Sequence, residues 1–303
     1  MLESMAFIRI KKIKGLEYYY LVESQWDPDK KISSQRIIKY LGNAKNVCIE
    51  DIPEKHRTNP KILSLLAHNS KFQQEKNLYL TDLKDQVFES LKNGEINKIL
   101  SVADSFIKQS SLSEFYDLIL GPVMHRIGNL WAMNELDIST EHVCSNIANE
   151  VIHLLNGGRK KDHKGDKVLI CTPEGEIHGL PCKVLESVLL EKGIDVVNLS
   201  PSVPTTSVLE CLVETNPCIL LISVSFSENL GSALRLIKKI ENYSNIPLIL
   251  GGFAVDNLTE HEIARVMSDS HSLHVIKGST LENAVNTMQN LIDDTKNKSR
   301  IIH

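Results

Sequence analysis

The residues with the clearest chemical potential lie in one short segment, TPEGEIHGLP, which spans residues 172–181. Glu176 stands two residues before His178, so its carboxylate can hold the proton of one imidazole nitrogen while the other nitrogen faces a metal ion. A loop histidine beside an acid also forms simple surface ion pairs, and the pair alone leaves both interpretations open. The segment contains neither GxGxxG nor a P-loop motif, which excludes the ordinary dinucleotide and P-loop phosphate sites.

The elements around this segment alternate between strands and helices from residue 166 to residue 303. Five apolar strands are predicted, each followed by a helical segment: KVLICTP, DVVNLSP, CILLISVS, PLILGG and HVIKG. This alternation predicts a doubly wound parallel sheet, an α/β Rossmann-like (flavodoxin-like) domain. Such a sheet binds its ligand beyond the carboxyl ends of its strands, and the loop after the first strand carries Glu176 and His178.

Upstream of this domain the apolar spacing becomes helical. Four segments predict an all-α four-helix bundle over residues 79–158: LKDQVFESLKNG, EINKILSVADSFIKQS, SLSEFYDLILGPVMHRIGNLWAM and TEHVCSNIANEVIHLLNGG. A linker helix is expected over residues 61–78. The glycine- and charge-rich stretch 157–166 is expected to separate the bundle from the α/β domain.

The first 60 residues predict a small basic β-rich module and the start of a linker, with turns at Lys14-Gly15 and at Asp27-Pro28-Asp29. From Arg9 to Lys45 the sequence holds nine Lys or Arg residues and four Asp or Glu residues, a local excess of positive charge. The whole chain has a net charge of -4, which excludes a uniformly basic nucleic-acid coat. The basic module is either a solvated sheet face or a local contact with a nucleic acid or a protein.

Length and composition are those of a globular protein with more than one domain. The chain has 303 residues, of which 42% are hydrophobic and 24% charged. Its six cysteines form no CxxC pair, so we interpret them as reduced. No apolar run approaches the roughly 18 residues that span a bilayer, and the first residues lack a signal-peptide stretch. We therefore expect a cytoplasmic protein with no membrane contact.

The α/β segment that carries Glu176 and His178 resembles the cobalamin-binding domain of methionine synthases, corrinoid carrier proteins and CarH-type photoreceptors. The resemblance covers about residues 167–291 and rests on Glu176-x-His178, Val203-Pro204, Ser223-Val224-Ser225 and Gly251-Gly252. Pro181 stands where that family usually has glycine. Because proline is tolerated in a first helical turn, the helix can still begin there.

The resemblance implies a role for each matched position. His178 would be the metal ligand, below the cobalt, and Glu176 would orient it. The two serines would touch the nucleotide tail of the cofactor, and the two glycines would leave room for it. The expected cofactor-binding residues in this domain are Glu176, His178, Gly179, Val203, Ser223, Ser225, Gly251 and Gly252.

The bundle carries a second resemblance. Trp131, nine residues and then Glu141-His142 reproduce the Trp-x9-Glu-His signature of CarH-type adenosylcobalamin photoreceptors. It implies that the indole covers the upper face of the cobalt and the adenosyl group, with Glu141 and His142 hydrogen-bonded to the ribose and purine. Ile138 belongs to the same expected cofactor surface. From the residues alone, Trp131 is a core tryptophan and the other two begin a helix.

Two features depart from the CarH-type pattern. Ala132 stands where the best-known photoreceptors have a cobalt-binding histidine, which leaves His125 and His142 as nearby alternatives. The β-rich module replaces the winged helix-turn-helix of those proteins, so the resemblance does not carry DNA binding with it.

These observations predict a cobalamin-binding sensor or regulator rather than an enzyme, with no catalytic residue. Adenosylcobalamin is the expected form, with methylcobalamin and hydroxocobalamin as alternatives, and photolysis of the Co–C bond is a candidate signal. The rival hypothesis is a corrinoid methyl-carrier protein that serves partner methyltransferases, and a third is a fold that has lost its ligand. Beyond the corrinoid, the candidate partners are a nucleic acid or a protein at the β-rich module, and a second copy of the chain.

Overall fold

The computed structural model describes residues 5–27, 32–157 and 166–301. The chain divides into two compact units, Met1–Asp82 and Leu83–His303. The expected turn at Pro28-Asp29 and most of the expected separator 157–166 lie outside the described residues. No helix in the described ranges combines the length and apolarity needed to cross a membrane.

The first unit contains the expected antiparallel sheet. Its strands are β1 (Met5–Ile13), β2 (Leu16–Asp27) and β3 (Ile32–Asn43), paired in that order. Lys14 and Gly15 both have positive φ, as a two-residue hairpin turn with the twist of its strands requires. One face of the sheet buries Ala6 and Leu21 against Ile52 and Ile62.

A single long helix, α1 (Pro60–Lys92), follows the sheet. The linker helix expected over 61–78 and the first bundle helix are both part of it. The polar residues near position 79 therefore do not end the helix.

The remaining bundle helices lie in the second unit. They are α2 (Ile96–Ile107), α3 (Leu112–Phe115), α4 (Gly121–Ala132) and α5 (Ile138–Leu155), and a π-helical segment, Tyr116–Leu120, joins α3 to α4. The sequence predicts one unbroken helix here, and the structure differs by this wider turn. An added Cβ at Gly121 would lie 2.9 Å from the carbonyl oxygen of Tyr116, so the wider turn requires glycine there.

The α/β domain has the predicted architecture. Its five strands are parallel and lie in the order β5-β4-β6-β7-β8: β4 (Lys167–Cys171), β5 (Asp195–Asn198), β6 (Ile219–Ser223), β7 (Leu248–Gly251) and β8 (Leu273–Val275). The helices are α6 (Leu180–Glu191), α7 (Thr205–Thr215), α8 (Leu230–Glu241), α9 (Phe253–Asp256), α10 (Glu260–Ser268) and α11 (Leu281–Ile301). Only the short α9 was not expected from the sequence.

The strand order determines where a ligand can bind. The chain leaves β4 toward β5 on one side and then crosses to β6 on the other, so the order reverses between β4 and β6. Loops diverge at such a switch point and open a crevice at the carboxyl ends of the strands. Every residue of the central strands β6 and β7 is buried, which holds this part of the sheet rigid.

Hydrogen bonds join the bundle to the α/β domain within the second unit. Tyr116 Oη lies 2.8 Å from Ser187 Oγ on α6, and Ser187 in turn donates to Asn156. Asp117 accepts a hydrogen bond of 2.9 Å from the backbone N–H of Leu281, at the start of α11. The π-helical segment therefore contacts both the first and the last helix of the α/β domain.

Candidate functional site

The centre of the site is a buried carboxylate in the loop after β4. Glu176 is inaccessible to solvent, and its Oε2 accepts hydrogen bonds from the backbone N–H groups of Ser225 and Phe226, at 2.9 and 3.0 Å, and from Asn229 Nδ2 at 3.0 Å. These donors lie in the loop after β6. The carboxylate thus spans the switch point between β4 and β6.

The hydrogen bonds keep Glu176 ionised. Burial alone would raise its pKa, but the donors from Phe226, Asn229 and His178 outweigh that effect, and the pKa is lowered. A carboxylate that accepts several N–H groups remains charged even without water. The loop therefore presents a fixed negative charge to the imidazole beside it.

His178 is oriented by that charge. Its Nδ1 lies 2.6 Å from Glu176 Oε1, and its backbone N–H donates to the same oxygen at 3.1 Å. A carboxylate at this distance requires the proton on Nδ1, which leaves a lone pair on Nε2. Among the described residues, only Glu176 hydrogen-bonds to this ring. The side chain is 39% exposed, so Nε2 is open to an incoming ligand.

Two neighbouring loops hold this loop in place. The backbone N–H of Ser202 donates to the carbonyl of Glu176 at 2.9 Å and to Thr172 Oγ1 at 2.7 Å. An added Cβ at Gly179 would lie 3.4 Å from Ser200 Oγ, a close but ordinary contact. Pro181 lies in the first turn of α6, where the helix begins as expected.

A groove opens between the sheet and helices α6 and α11. Its volume is about 190 Å³. Burial raises the pKa of the Cys182 thiol in its wall to about 11, so that group is neutral. A mostly apolar slot with few polar atoms suits a flat heterocycle. Its lining includes Pro181, Cys182, Leu185, Leu221, Ser223, Ile249, Gly251, Gly252, Asp256, Ile276, Ser279, Leu281, Ala284 and Met288.

The two glycines of the groove have different reasons to be glycine. Gly252 has φ +106°, and an added Cβ would lie 2.4 Å from the carbonyl oxygen of Val224, so the backbone itself requires glycine. An added Cβ at Gly251 would lie 3.6 Å from the carbonyl oxygen of Ile276, an ordinary contact. The backbone therefore does not require glycine at position 251, and the missing side chain there leaves room for a ligand.

Ser225 and Val203 serve this region in other ways. Ser225 contributes its backbone N–H to Glu176, and Val203 packs in the apolar core of the domain. Neither lines the groove. Sequence reasoning missed Asn229 and Phe226, whose ring meets the His178 ring edge-on at 4.4 Å. The signal that could have found them is the strand order, which brings the loops after the first and third strands together.

The bundle places its four expected residues at the turn between α4 and α5. Trp131 is 42% exposed and Ile138 is 55% exposed, as is the neighbouring Met133 at 66%. Three large exposed apolar side chains at one turn are unusual on a soluble surface and are typical of a binding site. The interpretation of Trp131 as a core residue is wrong.

Glu141 pairs closely with His142 and accepts a hydrogen bond within its own helix. Glu141 Oε2 lies 2.7 Å from His142 Nδ1, and Glu141 Oε1 accepts from Ser145 at 2.7 Å. Asp137 is the N-cap of α5, and the hydroxyls of Ser139 and Thr140 hold its pKa well below the usual range.

His125 packs against Phe253 of α9, with ring centroids 5.2 Å apart. No hydrogen bond, ion pair or ring contact in the described part of the chain links Trp131, Ile138, Glu141 or His142 to His178.

The residues present fit a corrin-bound cobalt. No cluster of three or more metal-ligating side chains exists among the described residues, which excludes a metal held there by the protein alone. A corrin ring supplies four equatorial nitrogens, so cobalt needs only one ligand from the protein. His178 offers that ligand, and the groove beside it can take the nucleotide tail.

Comparisons with known proteins agree with this chemistry. Residues 166–270 match a family model described as B12 binding domain, and residues 83–156 match a second model with the same description. No curated protein matches the chain. The two family matches identify cobalamin as the ligand of this chain.

Of three similar solved structures, one shares the fold. The monomethylamine corrinoid protein of Methanosarcina barkeri superposes with a TM-score of 0.55 at 12% identity, and the match covers 70% of this chain and 99% of that one. The methanol:cobalamin methyltransferase complex MtaBC of the same organism matches with a TM-score of 0.37 at 18% identity, over 70% of this chain and 80% of that one. A cobalamin-binding protein from Desulfitobacterium hafniense DCB-2 gives 0.35 at 20% identity, over 70% and 98%. Only the first superposition is close enough to compare folds.

Proposed function

We propose that this chain is a cobalamin-dependent sensor or regulator that binds adenosylcobalamin. In this proposal His178 ligates the cobalt from below, Glu176 orients it, and the groove between the sheet and α11 takes the nucleotide tail. When bound, the cofactor supplies a cobalt–carbon bond that light or a partner protein can break. The observation that carries the proposal is the Glu176–His178 pair, in which the carboxylate of Glu176 is buried and the side chain of His178 is 39% exposed.

The turn between α4 and α5 supports the choice of adenosylcobalamin. Trp131, Met133 and Ile138 expose apolar surface there, and Glu141 and His142 add polar groups one helical turn away. A flat indole and a carboxylate together suit an adenosyl group, which has a stacking purine and a ribose that donates hydrogen bonds. A methyl group would need neither.

The length of the chain supports a regulator. The match to the monomethylamine corrinoid protein uses 70% of this chain and 99% of that protein. The remaining three tenths is comparable in length to the first compact unit, Met1–Asp82. We propose that this added unit contacts the partner through which binding of the cofactor is reported.

The rival function is a methyl-carrying corrinoid protein. Its support is the likeness in fold to the monomethylamine corrinoid protein. A carrier must expose its cobalt to a partner methyltransferase. Its bundle would therefore make no fixed contact with an adenosyl group.

One experiment separates the two functions. The purified chain is reconstituted in the dark with adenosylcobalamin, methylcobalamin or hydroxocobalamin, and absorption spectra and size-exclusion profiles are recorded before and after illumination. The proposal predicts preferential binding of adenosylcobalamin and a change of spectrum and assembly state together on illumination. Preference for methylcobalamin, with a profile indifferent to light, would support the carrier instead.

A substitution tests the role of the indole in the same assay. We expect Trp131→Ala to weaken binding of adenosylcobalamin about ten-fold or more and to leave hydroxocobalamin binding almost unchanged, because only the former offers the adenosyl group. Leu154→Ala, another exposed apolar residue at the far end of α5, is the control. Equal losses for both cobalamins would mean that the indole does not contact the upper ligand.

A further inference from the structure

The two faces of the antiparallel sheet in the first unit differ. One packs against other residues of the unit, and the other carries cations and tyrosines. Ala6 and Leu21 point to the covered face, where Ile52 and Ile62 pack against them. Because side chains alternate along a strand, the neighbouring positions point to the opposite face. In β1 those positions include Arg9 and Lys11, both exposed, between the apolar Phe7 and Ile13.

Three tyrosines stand next to these cations. The strand register places Arg9 opposite Tyr20 and Lys11 opposite Tyr18. Tyr40 of β3 lies opposite Tyr20, with ring centroids 5.0 Å apart, and its ring stacks on that of Tyr18 at 6.4 Å and 28°. The tyrosine face, as we call these five residues, thus sets two cations beside three clustered rings.

The rings of the tyrosine face differ in accessibility, since Tyr18 and Tyr20 are half-buried and Tyr40 is exposed. Tyr40 is 53% exposed, although tyrosine is large and its ring gains from burial. Cross-strand tyrosine pairs stabilise a sheet by themselves, but that role does not require cations along the same face. The strand register sets a cation opposite two of the three rings, and this combination suits a ligand that has both negative charge and aromatic faces.

The chemistry of the face matches a single-stranded nucleic acid. Cations bind the phosphates, and aromatic rings stack on unpaired bases with little dependence on sequence. On this face Arg9 and Lys11 complement a polyanion, whereas the chain as a whole is negative. A duplex hides the faces of its bases from such rings. RNA is the nucleic acid that commonly presents unpaired bases, in loops, bulges and ends.

We propose that Arg9, Lys11, Tyr18, Tyr20 and Tyr40 form a binding surface for single-stranded RNA. The proposal does not depend on cobalamin, because all five residues belong to the first unit. It names one partner class for that unit.

Binding is tested on the full-length chain with a short fluorescein-labelled oligouridine, by fluorescence anisotropy over a series of salt concentrations. We expect Tyr40→Leu to weaken binding about ten-fold or more, the loss of one base–aromatic stack. Arg9→Gln and Lys11→Gln should each reduce the slope of log K against log salt by about 0.7, the contribution of one neutralised phosphate on a single strand. Far-UV circular dichroism of each variant confirms that the sheet is intact.

Two matched controls lie away from the tyrosine face. Lys12, next in sequence to Lys11, points to the other side of the sheet and pairs with Glu17 at 3.2 Å. Tyr243, an exposed tyrosine, lies in the second unit. We expect Lys12→Gln and Tyr243→Leu to bind oligouridine like the unsubstituted chain.

A crosslinking measurement keeps the proposal testable if a variant fails to fold. Oligouridine that contains 5-iodouridine, irradiated on the unsubstituted chain, should crosslink to Tyr18, Tyr20 or Tyr40 in peptides identified by mass spectrometry. Crosslinks confined to other segments would overturn the proposal, as would absence of binding at low salt. Tighter binding of oligothymidine or of duplex DNA would overturn the assignment to RNA. A chain that binds cobalamin but not oligouridine refutes this proposal alone.

Discussion

The carboxylate of Glu176 has five hydrogen-bond donors around its two oxygens, and this environment explains how a loop residue would orient His178, the proposed cobalt ligand. The donors come from His178, Ser225, Phe226 and Asn229. They hold the charge in place without water, so the proton of the imidazole stays on Nδ1. The basicity of Nε2 then depends on a group that cobalt does not touch.

Glu176→Gln tests this dependence. The amide presents one oxygen instead of two, and its NH2 group would face N–H donors that now lack an acceptor. We expect the free energy of unfolding to fall by about 1–3 kcal/mol and cobalamin affinity to fall about 10- to 100-fold. The measurements are urea unfolding and titration with hydroxocobalamin. Glu174→Gln, at an exposed position of the same loop, is the control. Unchanged affinity in Glu176→Gln would contradict the account.

The two glycines of the groove allow a paired test. Gly252→Ala must fit a methyl group 2.4 Å from a backbone oxygen at a φ of +106°, so we expect a clear loss of thermal stability. Gly251→Ala meets nothing closer than 3.6 Å and should fold normally. If the nucleotide tail fills the groove, Gly251→Ala should still weaken cobalamin binding. A stable Gly252→Ala variant would contradict the backbone explanation.

Part of the site could be predicted from residue types. The spacing of Glu176 and His178 indicates an oriented imidazole, and Ser223 and Gly251 lie in the groove where the resemblance implies them. Asn229 could not be recognised in the same way, because its role depends on a loop 53 positions away in sequence. Gly252 also lines the groove, but its close approach to the Val224 backbone is a separate reason for glycine that the sequence does not distinguish from a close ligand.

At the level of secondary structure, the π-helical segment Tyr116–Leu120 joins the bundle to the α/β domain. Its buried Tyr116 reaches Ser187 on α6, and Asp117 accepts the first free N–H of α11. The apolar spacing predicts a helix here, and because apolar residues are buried both within the π-helical segment and after it, the spacing does not reveal the wider turn. Gly121, whose Cβ would meet the Tyr116 carbonyl, is a local trace of it in the sequence.

The environment of Asp117, which accepts the hydrogen bond from Leu281, predicts that folding stability depends on pH. Burial, and to a lesser degree the nearby Glu114, raise the pKa of Asp117 above its ordinary value, and the hydrogen bond from Leu281 only partly opposes this. The folded state therefore holds this proton more tightly than the unfolded state. The contribution of Asp117 to stability is largest at low pH and is lost as pH rises through the raised pKa.

Asp117→Asn removes that dependence and keeps an oxygen for the Leu281 N–H. We expect the variant to gain stability relative to the unsubstituted chain as pH rises from about 4 to about 7. Urea unfolding at several pH values measures the difference. Parallel stability curves for the two chains would show that Asp117 does not titrate as described.

At the scale of the whole molecule, the sequence predicts each strand of both sheets and the parallel direction of the strands in the larger one. It could do so because buried parallel strands appear as short apolar runs, and because crossover connections restrict the strand order. It could not show that α1 continues through position 79, since polar residues on an exposed helix resemble those of a linker. The two units thus share one helix, whereas sequence reasoning places a boundary within it.

In the proposed function, the second unit would supply both the cobalt ligand His178 and the surface around Trp131 that would contact the adenosyl group. The hydrogen bonds of Tyr116 and Asp117 hold bundle and α/β domain in one compact unit. The cofactor then stabilises this unit by mass action, about 2.7 kcal/mol at a concentration one hundred times the Kd.

The central claim is that a nitrogen of His178 ligates cobalt. It is tested most directly by electron paramagnetic resonance of the chain reconstituted with cobalamin and reduced to Co(II), with and without nitrogen-15 histidine. The account predicts a superhyperfine triplet in the unlabelled protein that becomes a doublet on labelling, and loss of the label's effect in His178→Ala but not in His142→Gln. A triplet that persists in the labelled protein would show that the cofactor's own base holds the cobalt, and would contradict the account.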